Sequence, residues 1–211
     1  MGNPIRLGRI AGIPVQIDLS FLLALPLLAY LFAQQFVAAA RLVGIPQERI
    51  GGDRYLWGLA VALALFASVL LHELAHSLYA LRTGSRVSAI TLLMIGGVSQ
   101  IEDSPRRPRD EALMAFLGPL TSLVIAAILY AGLLAVPRDP DLWEVRFWLA
   151  CTSYLNLTLG ILNLLPAFPM DGGRVLRALL VKRLAVGRSM RPSSRHDLGR
   201  LETLGPARAD E

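Results

Sequence analysis

The sequence predicts an all-α polytopic membrane protein: about four transmembrane helices, with short membrane-associated β-strands between them. Three observations carry this. The 211 residues are 54% hydrophobic and only 18% charged, against about 25% charge in a soluble domain. The apolar residues gather in long runs, each able to supply the roughly 20 residues that a spanning helix needs. Between and before those runs lie shorter stretches, rich in β-branched residues or loosely alternating, that cannot span and read as strands.

Taken in order, Met1 to Asp18 is no signal peptide. It has Arg6 and Arg9 but no apolar core before Pro14 and no small-residue cleavage site. Gly8 to Ile17 alternates loosely, interrupted by Gly and Pro, and reads as a short strand or hairpin at the membrane surface. Leu19 to about Val43 is the first span, with Pro26 able to kink it. Gly44 to Arg54 is a short loop holding the breakers Gly44, Pro46, Gly51 and Gly52. Tyr55 to about Leu81 is the second span, ended by Thr83-Gly84. Val87 to Ile101 reads VSAITLLMIGGVSQI. It is too short to cross the bilayer and Gly96-Gly97 interrupts it, so it reads as one or two strands, re-entrant beside the second span.

Glu102 to Arg109 is a charged loop, and Glu111 to Val136 is the third span. Gly118-Pro119 and Thr121-Ser122 give that span a small-residue patch where another helix can approach. Pro137 to Asp141 is a tight turn, and Leu142 to Leu165 is the fourth span, ended by Pro166. Val175 to Val186 is apolar but carries Arg177, Lys182 and Arg183, as in an amphipathic surface helix or the start of an incomplete span. Arg188 to Glu211 is polar and reads as disordered. The expected organisation is a membrane core over residues 1–186 and a polar tail over 187–211.

The net charge of +5 rests on twenty arginines and one lysine. They flank the apolar runs rather than forming one stripe, which argues against nucleic acid as a partner and for topology signals. Segments 1–18, 82–110 and 166–211 hold sixteen Lys/Arg, and the opposite side holds Arg41, Arg49, Arg54, Arg138 and Arg146. The bias puts both termini in the cytoplasm. The lone Cys151 lies in an apolar segment, so no internal disulfide and no cysteine-based zinc site can form.

Chemistry concentrates in His72-Glu73-Leu74-Ala75-His76, near the end of the second span. From Ala60 to Leu71 no residue is charged, and Ser68 is the only hydroxyl. On a helix, His-Glu-x-x-His stacks two imidazoles one turn apart on one face, within reach of one zinc ion. Glu73 points about 100° round the helix from His72. There it can take a proton from a water activated at the metal without ligating the metal itself. Such a pair on a soluble helix is often no more than a surface feature. In lipid, however, each ionisable group costs about 2.5–3.5 kcal/mol at mid-helix and needs a partner.

The second informative stretch is Asn163-Leu164-Leu165-Pro166-Ala167-Phe168-Pro169-Met170-Asp171-Gly172-Gly173-Arg174. The second and fourth spans run in the same direction, so their ends lie at similar depth and Asp171 can reach the level of His72 and His76. Pro166 and Pro169 prevent regular helix, and Gly172-Gly173 allows a tight turn beside a ligand. A carboxylate from this turn would complete a His₂Asp site with one open position, the pattern of a catalytic zinc.

Together HELAH and NLLPAFPMDGGR resemble the site-2 protease family of intramembrane zinc metalloproteases, peptidase family M50, over roughly residues 8–180. Gly96-Gly97-Val98 and Gly118-Pro119 resemble family features as well. The resemblance implies one Zn²⁺ per chain bound by His72, His76 and Asp171, with Glu73 as general base. It implies that Asn163 helps hold the substrate or the oxyanion, and that an edge strand near Gly97 pairs with an unwound, membrane-spanning protein substrate. Members also continue into further spans after the Asp-Gly-Gly-Arg turn, where this sequence becomes polar after about Val186. Two other classes compete. A non-proteolytic membrane protein could keep a structural or regulatory zinc, but it would need no base at Glu73. A metal transporter would string polar ligands across the bilayer, whereas here they gather at one end.

Overall fold

The computed structural model describes residues 4–45, 54–94, 96–103, 105 and 107–189. Pro46, Gly51 and Gly52 of the first loop, and the tail from 190, lie outside the described residues. Two strands open the chain, β1 (Ile5–Ile10) and β2 (Ile13–Ile17), followed by helices α1 (Leu19–Leu42) and α2 (Arg54–Arg82). Strands β3 (Val87–Leu93) and β4 (Gly96–Ile101) come next, then α3 (Pro108–Ala135), α4 (Trp143–Asn163) and α5 (Asp171–Ser189). A single 3₁₀ turn, Pro140–Leu142, leads into α4.

Among the described residues, four helices are long and apolar enough to cross a membrane: α1, α2, α3, and α4 with its 3₁₀ turn. The shortest of these is 24 residues, about 36 Å at 1.5 Å per residue, against a hydrocarbon core of about 30 Å. The helices run on through Pro26 in α1 and Pro119 in α3. The chain is therefore an integral, multi-pass membrane protein. Outward-facing side chains such as Leu23, Ile128 and Leu134 are exposed and apolar, as a lipid-facing surface requires.

The four strands form one sheet in the order β1-β2-β3-β4. The β1–β2 hairpin turns at Ala11 (φ 51) and Gly12 (φ 81), two left-handed positions in succession, as a tight two-residue hairpin loop demands. β2 and β3 pair in parallel, with Val15 opposite Ile90 and Ile17 opposite Leu92. The strand entering α1 and the strand leaving α2 are thus neighbours. That requires an even number of crossings between them, and α1 and α2 supply two. β2 turns Ile13, Val15 and Ile17 inward, and Ile17 joins Phe21, Phe66, Val69 and Leu92 in a cluster at the sheet–helix junction. A second cluster, Phe36, Val61 and Phe147, joins α1, α2 and α4 near the far end.

α2 lies at the centre and packs against α1, α3 and α4, while α3 also packs against α4 and α5. Small residues set the spacing. A Cβ at Gly58 would stand 2.2 Å from the Ala29 carbonyl oxygen, and one at Gly160 would stand 3.1 Å from that of Pro119. The patch expected on α3 is used on two sides. Pro119 meets α4 at Gly160, and Gly118 meets the α2 histidines.

The segment after α4 departs from expectation. Asp171-Gly172-Gly173 is not a free turn but the first turn of α5, which begins at Asp171 rather than near Val175. The missing side chains serve packing here. A Cβ at Gly172 would fall 2.2 Å from the Leu164 carbonyl oxygen, and one at Gly173 would fall 2.8 Å from that of Ala167.

Replacing Gly58 by Leu should force α1 and α2 apart and cost about 1–3 kcal/mol or more. Thermal unfolding in detergent would check this, and an unchanged melting temperature would contradict the close crossing at Ala29.

Candidate metal centre

α2 carries His72 and His76 on its inner face, each only 3% exposed. Their rings lie 4.9 Å apart, edge to face. The third member arrives from far along the chain. The backbone leaves α4 after Asn163, folds back through residues 164–170, and enters α5 at Asp171. Asp171 Oδ2 then lies 3.1 Å from Nε2 of His72 and 3.1 Å from Nε2 of His76. The structure thus brings together all three residues singled out as ligands, with their ligand atoms within 4.8 Å of one another.

The opposite nitrogen of each ring is also held. His76 Nδ1 is 2.7 Å from the Met114 carbonyl oxygen, and His72 Nδ1 is 2.9 Å from Ser122 Oγ. A carbonyl can only accept, so His76 Nδ1 carries a hydrogen. In the neutral ring, Nε2 then turns a lone pair towards the Asp171 carboxylate. Two electron-rich atoms at that distance are satisfied by a second proton on His76 or by a cation shared between them. Around a tetrahedral ion with ligand bonds near 2.0–2.1 Å, neighbouring ligand atoms would stand about 3.3 Å apart, close to the 3.1 Å between Asp171 and each imidazole. Two imidazoles and one carboxylate, with outer hydrogen bonds orienting the rings, form a donor set that suits zinc.

Space for an ion comes from α3. A Cβ at Gly118 would lie 2.1 Å from His76 Nε2 and 2.7 Å from His72 Nε2, so the missing side chain keeps the space beside both nitrogens open.

Glu73 lies beside this cluster and turns to the sheet. Its Oε2 accepts from the Ser99 backbone N–H at 3.1 Å and from Ser99 Oγ at 2.7 Å. Asn163 stands in the last turn of α4, where its side-chain N–H donates to the Leu159 carbonyl oxygen at 2.9 Å. That bond stays within its own helix, and none reaches His72, His76 or Asp171. Sequence reasoning missed the supporting partners Met114, Ser122 and Ser99. It also missed Asn156, which is fully buried and donates to Ser68 Oγ at 3.0 Å, one turn before His72. Only the isolated hydroxyl of Ser68 in an apolar run pointed towards such a contact.

Gly118→Ala should leave the helices assembled and weaken metal binding by at least the roughly 10–100-fold typical of disturbing a metal site's surroundings. Equilibrium titration of the purified chain with zinc reads this directly. Wild-type affinity would mean that no ion sits against α3.

A family model described as peptidase family M50 matches residues 60–140 and 139–193. The Rip3 protein of Mycobacterium tuberculosis is 39% identical over 186 residues, which cover 87% of this chain and 45% of that protein. A zinc metalloprotease of Methanocaldococcus jannaschii is 38% identical over 184 residues, 87% of this chain and 47% of that protein. The chain spans about half the length of these curated relatives. Among solved structures, a site-2 protease from Methanocaldococcus jannaschii superposes with a TM-score of 0.58 at 33% identity, covering 85% of this chain and 73% of that one. A matched family model over most of the chain, the same overall fold and a cluster of two buried histidines with the half-buried Asp171 agree, and the chain belongs to peptidase family M50, the site-2 protease family.

Proposed function

We propose that this chain is the catalytic core of an intramembrane zinc metalloprotease that hydrolyses peptide bonds within or near a membrane-spanning segment of its substrate. The observation that carries this reading is the convergence of three donor atoms from α2 and α5 at a buried point between apolar helices, with an unligated carboxylate next to one of them on the same helix. A site serving only stability has no use for that carboxylate. In this reading His72, His76 and Asp171 hold one zinc ion. Zinc held there supplies Lewis acidity, which makes a water nucleophilic near neutral pH and polarises a carbonyl.

The protein's own residues do the rest. Glu73 accepts the proton of the attacking water and passes it to the leaving amine. Met114 and Ser122 keep the imidazoles in orientation. Asn163 exchanges its bond to Leu159 for one to the substrate backbone or the developing oxyanion. The substrate must present an extended segment, because an intact helix buries its scissile carbonyls in hydrogen bonds. β4 stands at the edge of the sheet and offers that segment a strand to pair with. The excess of arginine beside β1, β3 and α5 supports a cell-membrane protein with both termini in the cytoplasm, so that water reaches the site from that side.

Replacing His72, His76 or Asp171 by Ala should each lower zinc content sharply, since two donors remain of three. Glu73→Gln should keep zinc and lose cleavage of a model transmembrane substrate in detergent. A Glu73→Gln chain that still cleaves well would remove Glu73 from the mechanism. Asn163→Ala should fold and load zinc normally while turnover falls by about 10²–10³, the usual loss of one oxyanion donor. Early melting with normal turnover would reduce Asn163 to a structural role.

A further inference from the structure

We propose that Ser99 on β4 is a positioning residue that holds the Glu73 carboxylate in one orientation. The inference rests on the proteolytic reading of the site. Four observations converge on it. Both donors of Ser99, its backbone N–H and its hydroxyl, meet the same carboxylate oxygen, Oε2, at 3.1 and 2.7 Å, and the hydroxyl has a second, longer acceptor in the Glu73 backbone carbonyl oxygen at 3.1 Å. The hydroxyl oxygen is itself held, because Ser77 Oγ donates to it at 3.0 Å. Ser77 is fully buried and stands one turn after Glu73 on α2. The contact therefore closes a ring from α2 through β4 and back to α2, and the Ser99 hydroxyl has its rotamer fixed from behind. Finally, Gly97 lies against the stem of the same side chain, where a Cβ would come within 2.6 Å of Glu73 Cγ and 3.0 Å of Val69 Cγ1. The strand thus grips Glu73 at its stem and at one of its two oxygens.

A glutamate has three rotatable bonds and loses efficiency as a base when it samples all of them. With Oε2 occupied by two donors, Oε1 is the oxygen left to take a proton. The two charge-assisted bonds also balance the cost of a carboxylate among apolar helices. β4 is an edge strand, the one that lies against α2, so the element on which an extended substrate would dock also sets the posture of the base.

The test compares Ser99→Ala, Ser99→Thr and Gly97→Ala in the full, zinc-loaded chain, with zinc content and melting temperature measured alongside. Ser99→Ala removes the hydroxyl and keeps the backbone donor. It should lower kcat by about tenfold or more, a share of the 10²–10⁴ that a positioned base supplies, with KM within about twofold. Ser99→Thr restores the hydroxyl and should recover most of the loss, whereas Gly97→Ala, which pushes on the stem, should lower kcat again.

A second readout does not depend on activity. The infrared carboxylate band of Glu73, isolated by subtracting the Glu73→Gln spectrum, should move in Ser99→Ala and return in Ser99→Thr. An unmoved band would overturn the contact. A moved band with unchanged kcat, or a lower melting temperature as the sole effect, would reduce Ser99 to a tether between β4 and α2. If the wild-type chain cleaves nothing, the protease reading falls, while the band alone still decides whether Ser99 holds Glu73.

Discussion

Two imidazoles in the apolar interior of α2 are the constraint from which the rest of this structure follows. Placed in lipid, neither ring can leave its nitrogens without partners. Each neighbouring element answers part of that demand. α3 supplies the Met114 carbonyl and the Ser122 hydroxyl for the outer nitrogens, and α5 supplies Asp171 for the inner ones. The sheet takes the adjacent carboxylate through Ser99. Each of these contacts depends on an element lying close to α2, and glycines at 97 and 118 remove the side chains that would hold those elements off. The polar groups and the small residues form one device: the first create the need for close approach, and the second allow it.

Much of this was legible in the sequence, and what was legible had a period or a composition to carry it. The four spans announce themselves by length and hydropathy, and His72 and His76 by a helical spacing inside an apolar run. The strands within Gly8–Ile17 and Val87–Ile101 were visible as short β-branched or alternating stretches, although β1 starts earlier, at Ile5. Their parallel pairing was not, because it is set by two intervening membrane crossings rather than by any local pattern. Asp171 was visible as a carboxylate beyond the fourth span, but as part of a turn. Gly172 and Gly173 suggest a bend, and their actual use is to let the first turn of α5 lie on the carbonyls of Leu164 and Ala167.

The partners of the site were illegible for a different reason. Met114 contributes a backbone carbonyl, which leaves no mark on residue type. Ser99 and Ser122 are single serines in stretches where serine is ordinary. Asn163 drew attention through the family resemblance, whereas Asn156, two turns earlier on nearly the same face of α4, makes the buried contact to α2. Any amide inside a membrane must find a partner, and the sequence does not say whether that partner lies on a neighbouring helix or one turn back on its own.

The three donor atoms come from distant parts of the chain: Asp171 stands 99 residues after His72 and 95 after His76. While the chain is being made, α2 is therefore complete long before its carboxylate partner exists, and two further membrane crossings must be laid down in between. During that interval the two histidines stand without the carboxylate that completes the cluster. The sheet, too, must wait for α2 before β3 can meet β2. The cluster therefore forms only after the fourth crossing and the start of α5 have been made, and a chain stalled before that point would carry the HELAH motif into the membrane without its carboxylate partner. The long separation acts as a built-in delay between insertion and competence.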